Sequence, residues 1–165
     1  MIFKGTTHKF GNDVNTDYII AGRYKFKTLD MKELAKHVME DLDPDFYNKI
    51  NAGDFIVGGS NFGCGSSREQ APLAIKHADI SAVLAKSFAR IFYRNAINTG
   101  LPVVECDTDL IDAGDELEVD LAGGNVINKT KGQTIPAKPL PPVMIKILND
   151  GGLAPHFKKY GGFNL

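Results

Sequence analysis

Asn61-Phe62-Gly63-Cys64-Gly65-Ser66-Ser67-Arg68-Glu69, preceded by the apolar run Asp54-Phe55-Ile56-Val57 and by Gly58-Gly59, sets two hydroxyls and a guanidinium behind a glycine-rich turn. The run ahead of it is apolar and β-branched, which reads as a buried strand breaking into a loop. Behind it, Ala71, Leu73, Ala74, Ile75, Lys76 and Ala78 favour a helix. Strand, glycine turn and helix therefore follow one another. First-turn N–H groups and the positive end of the helix dipole are expected to face an anion near Ser66 to Arg68. Arg68 adds a planar two-pronged donor matched to a carboxylate.

The same residues have a bland reading. Ser66-x-x-Glu69 and Ser67-x-x-Gln70 each have the spacing of a capping box, which satisfies orphan N–H groups without a ligand. Capping leaves two features unexplained: the Gly63-x-Gly65 pair, which permits close backbone approach, and an arginine in a first turn, where the dipole disfavours a cation. Nucleotide loops fail on inspection. A dinucleotide fingerprint needs a third glycine where Arg68 stands, and a P-loop needs Gly-Lys-Ser/Thr, whereas Gly63 is followed by Cys64.

Outward from this motif the chain alternates. A strand near Ile2 to Phe10 precedes a polar loop and an expected helix from Leu29 to Glu40, whose apolar stripe is Leu34, Ala35, Val38 and Met39. Ile80 to Ala85 reads as a strand, Ser87 to Asn98 as a helix and Leu101 to Val104 as a strand, which predicts parallel strands with crossover helices. Arg90 and Arg94 lie one turn apart, placed to face a partner or the substrate; a solvated helix face is the favoured reading, since Phe88, Ile91, Phe92 and Ile97 already account for the packing. After Asp115, Leu117, Val119 and Leu121 alternate up to Gly123-Gly124, followed by Val126 and Ile127: a hairpin. Gln133 to Pro136 can add a strand, and a helix is expected from Pro142 until Gly151-Gly152. The tail from His156 to Leu165 is basic and glycine-rich, and is expected to be loosely held. The fold class is α/β, with a largely parallel central sheet and a C-terminal β-hairpin, in one domain spanning 1–165.

Composition narrows the function. A formal net charge of -1 over 165 residues argues against an electrostatic nucleic-acid binder. No apolar run approaches the roughly 20 residues that cross a bilayer, and the Met1-Ile2-Phe3-Lys4 start lacks a signal-peptide core. Two distant cysteines suit a reducing cytoplasm. His8, His37, His77 and His156 are scattered without ligand spacing, so no metal site is expected on this chain.

Gly63-Cys64-Gly65-Ser66-Ser67-Arg68-Glu69-x-Ala71-Pro72 resembles the signature of the small subunits of 3-isopropylmalate dehydratases, the swivel-domain branch of the aconitase superfamily. Two further blocks agree: Phe10 to Ile20, with Thr16-Asp17-Tyr18-Ile19, and Ser87 to Asn95 with Gly100-Leu101-Pro102-Val103. The resemblance runs in order over about residues 8 to 105. It implies a swivel-like β/β/α sandwich and a hydro-lyase that moves a hydroxyl between neighbouring carbons of a branched malate by dehydration and rehydration. In relatives the hydroxyl leaves onto a [4Fe–4S] cluster, and the serine corresponding to Ser66 removes the proton beside a carboxylate. Residues corresponding to Ser67 and Arg68 hold that carboxylate, and the one corresponding to Asp17 lies close by as a supporting catalytic residue.

The basic stretch Arg23-Tyr24-Lys25-Phe26-Lys27-Thr28 corresponds to a loop that reaches over the substrate, so Arg23, Lys25 and Lys27 are candidate substrate-binding residues. It is one residue longer than the Tyr-Leu-Arg-Thr of many relatives and carries lysines in place of arginine. A cluster with a substrate-accessible iron needs three thiolates, and this chain has Cys64 and Cys106. The resemblance thus implies a cluster-bearing large subunit as partner, in a heterodimer or heterotetramer. Within the resemblance, the alternative is the small subunit of homoaconitase or of another branched-malate dehydratase, of the 2,3-dimethylmalate or citramalate type. A stand-alone anion-binding domain is the alternative from a different class.

Overall fold

The computed structural model describes residues 1–25 and 30–162. Strands β1 (Ile2–Lys9), β2 (Phe55–Val57), β3 (Ala82–Ala85), β4 (Val103–Glu105), β5 (Glu116–Asp120), β6 (Asn125–Asn128) and β7 (Gln133–Pro136) form one 7-stranded sheet in the order β4-β3-β2-β1-β5-β6-β7. β1 divides it. On one side β1, β2, β3 and β4 run parallel, and on the other β1, β5, β6 and β7 pair antiparallel. The burial pattern follows that division: every residue of β2 and β3 is buried, as strands covered on both faces must be, whereas β5 alternates. The expected hairpin is present and continues into a third antiparallel strand, β7.

The helices are α1 (Thr16–Ile19), α2 (Gly22–Lys25), α3 (Met31–Ala35), α4 (Phe46–Lys49), α5 (Gln70–His77), α6 (Arg90–Thr99), α7 (Pro142–Asn149) and α8 (Leu153–Tyr160). α5 crosses from β2 to β3 and α6 from β3 to β4, as parallel pairing requires. α5 packs on α3 and α6, while α7 and α8 pack on α6 and on each other.

Two expectations are corrected. The helix expected over Leu29 to Glu40 is regular over Met31–Ala35 and then passes into turns; Leu29 lies outside the described residues. Its apolar stripe is nevertheless buried, with Leu34, Ala35, Val38 and Met39 each 1% exposed or less. Beyond Ala35 the N–H groups of Lys36, His37 and Val38 bond three residues back, and Met39 then takes a left-handed φ of 56° and gives its N–H to the carbonyl of Ile19 at 2.8 Å. The tail expected to be loose is helix α8, held by fully buried His156, whose Nδ1 lies 2.8 Å from Oδ2 of Asp150. That hydrogen bond, with help from Lys159, holds the Asp150 carboxyl below its usual range. Residues 163–165 are outside the described part.

Candidate active site

Three segments leave the C-terminal ends of the parallel strands and run side by side. After β1, Asp13 gives its N–H to Ser60 O at 2.9 Å, and Thr16 gives its own to Cys64 O at 2.8 Å. After β2, Gly63 N–H donates to Val14 O at 2.8 Å and Phe62 N–H to Ser87 O at 3.0 Å; after β3, Ala89 N–H returns to Phe62 O at 2.9 Å. Short parallel bridges, Asn15 to Cys64 and Phe62 to Phe88, mark the same seam. These are the three blocks singled out in the sequence, brought together where open α/β sheets place their ligands.

The seam closes only because two residues lack side chains. Gly63 (φ 83°) lies where an added Cβ would sit 2.2 Å from Cγ of Phe92, and at Gly65 (φ 94°) it would sit 2.5 Å from Oδ1 of Asn15. Close approach and left-handed backbone thus account for the Gly-x-Gly pair. Gly63→Ala combines strain with a clash against Phe92, which is buried beside Phe62 and packs on half-buried Phe88. We expect it to cost about 3 kcal/mol or more by urea unfolding; a loss under about 0.5 kcal/mol, the scale of an ordinary surface change, would contradict this geometry.

α5 begins at Gln70, so Ser66, Ser67 and Arg68 lie ahead of the helix, not in its first turn. This removes the conflict between Arg68 and the helix dipole. No side chain caps α5. Among the described residues the Ser66 and Ser67 hydroxyls take no hydrogen-bond partner, and both serines are exposed. Capping is therefore not their task. Thr16, buried, donates its hydroxyl to the carbonyl of Ser66 at 2.8 Å and so fixes the backbone that presents it.

Arg68 is folded inward, its side chain 18% exposed. Nη1 lies 2.7 Å from Oδ1 of Asp17 and donates to Ile20 O at 3.2 Å. Gly22 leaves room for Nη2, which would stand 3.3 Å from a Cβ there. Of the five guanidinium donors, those on Nη2 and Nε have no protein acceptor among the described residues. A cavity of about 210 Å³ opens beside these groups, lined by Thr16, Ser66, Ser67 and Arg68 on one side and by Arg90, Ile91 and Asn95 of α6 on the other. Asp17 does not line it; its carboxylate reaches the cavity through Arg68.

The remaining candidates are placed differently. Arg23 pairs with Asp41 at 2.9 Å and stands 3.7 Å from Glu40, away from the cavity. Its neighbour Tyr24 stacks on His37, centroids 3.8 Å apart, and donates to Glu40 at 2.7 Å. Burial alone would raise the Glu40 carboxyl; hydrogen bonds from His37 and Tyr24 more than offset it, and it titrates below its ordinary value. The start of the basic stretch is thus helix α2, anchored through Arg23 and Tyr24. Lys25 ends that helix, and Lys27 lies outside the described residues.

Three cavity-lining residues escaped sequence reasoning. Thr16 stood in the quoted Thr-Asp-x-Ile block without a role. Ile91, expected in the core, is 51% exposed on the cavity wall, and Asn95 lines the cavity one turn further along α6. Cys64 is half-buried in the seam, and burial pushes the Cys106 thiol up to about 12, which makes it a poor thiolate. Among the described residues no three His, Cys, Asp or Glu side chains gather where they could hold a metal ion.

The sequence profile of the aconitase C-terminal domain matches residues 8–108. The chain belongs to the aconitase C-terminal domain family. Within that family it is 63% identical to the 3-isopropylmalate dehydratase small subunit 2 of Archaeoglobus fulgidus, over 98% of each chain. It is 54% identical to the isopropylmalate/citramalate isomerase small subunit of Methanocaldococcus jannaschii, over 96% of this chain and 95% of that one. The crystal structure of a 3-isopropylmalate dehydratase from M. jannaschii superposes with a TM-score of 0.93 at 51% identity, covering 98% of this chain and 96% of the other. Its fold is therefore the aconitase-family one expected, with a largely parallel centre.

Proposed function

We propose that this chain is the small subunit of a 3-isopropylmalate dehydratase, a single domain that contributes half of a composite active site and interconverts 2- and 3-isopropylmalate with a large subunit. The observation that supports this most directly is the pairing of unpartnered Ser66 and Ser67 hydroxyls with an Arg68 fork that Asp17 orients but does not exhaust. In this reading Arg68 and Ser67 hold one substrate carboxylate, the bidentate geometry fixing its orientation. Ser66 then takes the proton from the carbon next to that carboxylate, and returns it in rehydration. A neutral serine is a weak base unless its alkoxide is stabilised, and the guanidinium of Arg68, with that of Arg90 across the cavity, supplies the positive field.

A [4Fe–4S] cluster on the large subunit supplies the Lewis acid for hydroxyl loss. This chain, with Cys64 in the seam and Cys106 buried, lacks the three thiolates such a cluster needs. Asp17 is a positioning residue in this scheme, acting through Arg68. Arg23 has the same standing, anchoring the start of the basic stretch through Asp41; Lys25 and Lys27 remain proposed substrate-binding residues. Cytoplasmic leucine synthesis is the setting that fits.

The name of the M. jannaschii relative, which joins isopropylmalate with citramalate, favours a second substrate of the same kind, a methyl-branched malate. A substrate panel on the chain reconstituted with a cluster-bearing large subunit tests both readings. Turnover of isopropylmalate that requires both chains is the expected result, with citramalate accepted at a lower kcat/KM. Anion binding by the isolated chain and no turnover with any such subunit would favour the non-catalytic binding domain.

A further inference from the structure

Arg90 lines three cavities at once. One is the Ser66 cavity; the others, of about 490 Å³ and 330 Å³, lie along the flank of α6 against α7. The smaller is walled by Tyr93, Ile97, Val143, Met144 and Ile147, so an apolar cleft adjoins the site at Arg90, the residue the two share. Charge points the same way. Of the four arginines, Arg23 and Arg68 are ion-paired, whereas Arg90 and Arg94, both exposed and one turn apart on the cleft's rim, have no ion pair among the described residues. Ile91, 51% exposed, lies beside Arg90 on the wall of the Ser66 cavity.

Resting on the composite-site reading, we propose that this α6/α7 flank is where the cluster-bearing large subunit docks. A stable interface covers about 800 Å² on each partner, far more than the mouth of a 210 Å³ cavity offers. A chain that brings its iron to Ser66 must also cover Arg90 and Ile91, because they form the opposite wall. The surface that adjoins that wall at Arg90 is an apolar cleft rimmed by two guanidiniums without an ion pair among the described residues, the combination of apolar anchor and arginine that dominates binding energy. Its complement on the large subunit is a protruding apolar side chain seated between α6 and α7, flanked by carboxylates that meet Arg90 and Arg94.

Sedimentation titrations of the intact chain with the large subunit of an isopropylmalate dehydratase test this, using Arg94→Glu and Met144→Glu, neither of which lines the Ser66 cavity. Each is expected to raise Kd at least about tenfold, while kcat at saturating large subunit stays within about twofold of wild type. Hydroxyl-radical labelling of Tyr93 and Met144 in the wild-type chain gives a reading independent of any variant, and should fall on complex formation. Wild-type binding with both variants within about twofold and labelling unchanged would overturn the docking surface and leave the functional reading standing. A wild-type chain that binds no such subunit would overturn both.

Discussion

Ser66→Ala is expected to lower kcat of the reconstituted complex by about 10³-fold, within the 10²–10⁴ range that removing a positioned base costs. KM should change little, because Ser67 and Arg68 remain to hold the carboxylate. Folding should be untouched: the Ser66 side chain is exposed and has no hydrogen-bond partner among the described residues, and it is its carbonyl, retained in the variant, that Thr16 holds. The decisive comparison is therefore kcat against thermal unfolding and large-subunit affinity. A drop in kcat with both of the others unchanged assigns the proton transfer to this hydroxyl. A Ser66→Ala complex with kcat within about threefold of wild type would remove it.

Arg68→Lys keeps the charge and removes the fork. One ammonium cannot meet Asp17, the Ile20 carbonyl and a substrate carboxylate together, whereas the guanidinium has donors for all three. We expect kcat/KM to fall about 10²-fold, with KM carrying much of the loss, since the carboxylate is held in ground and transition states alike. Stability should fall by less than in a truncation, because the half-buried site keeps a cation opposite Asp17. Steady-state kinetics over isopropylmalate concentration measure the split. If kcat/KM stays within about threefold, the carboxylate is bound elsewhere.

The candidate site was legible as three short blocks, which the parallel sheet brings to one edge. What it could not supply was lateral pairing. Arg23 looked like a substrate ligand because it sits in a basic stretch; its partner Asp41 is 18 residues away, on a segment with no motif. Arg68 seemed to belong to a helix because Ala71 to Ala78 favour one, yet the helix starts later, and residues 66–68 are tied to residues 16–22 of a different strand's loop. Ile91 fits an amphipathic pattern, and only the seam beside Phe62 and Phe88 turns it toward the cavity. Gly151-Gly152 reads as a helix stop and the chain from His156 as a loose tail, but α8 follows the glycines, held by buried His156 on Asp150, a contact that no periodicity announces. The apolar stripe of residues 34–39 was legible, whereas the left-handed Met39 beyond the helix is tied to a carbonyl twenty residues upstream.

The central claim is that this cavity is completed by another chain's iron, and a structure of the reconstituted complex with bound isopropylmalate tests it most directly. One substrate carboxylate should lie on the Nη2 and Nε face of Arg68 and on Ser67, with Ser66 Oγ about 3 Å from the carbon that loses its proton and the cluster on the far side of the substrate. A complex in which isopropylmalate and the cluster both sit away from Ser66, with the 66–68 segment facing solvent, would contradict the account.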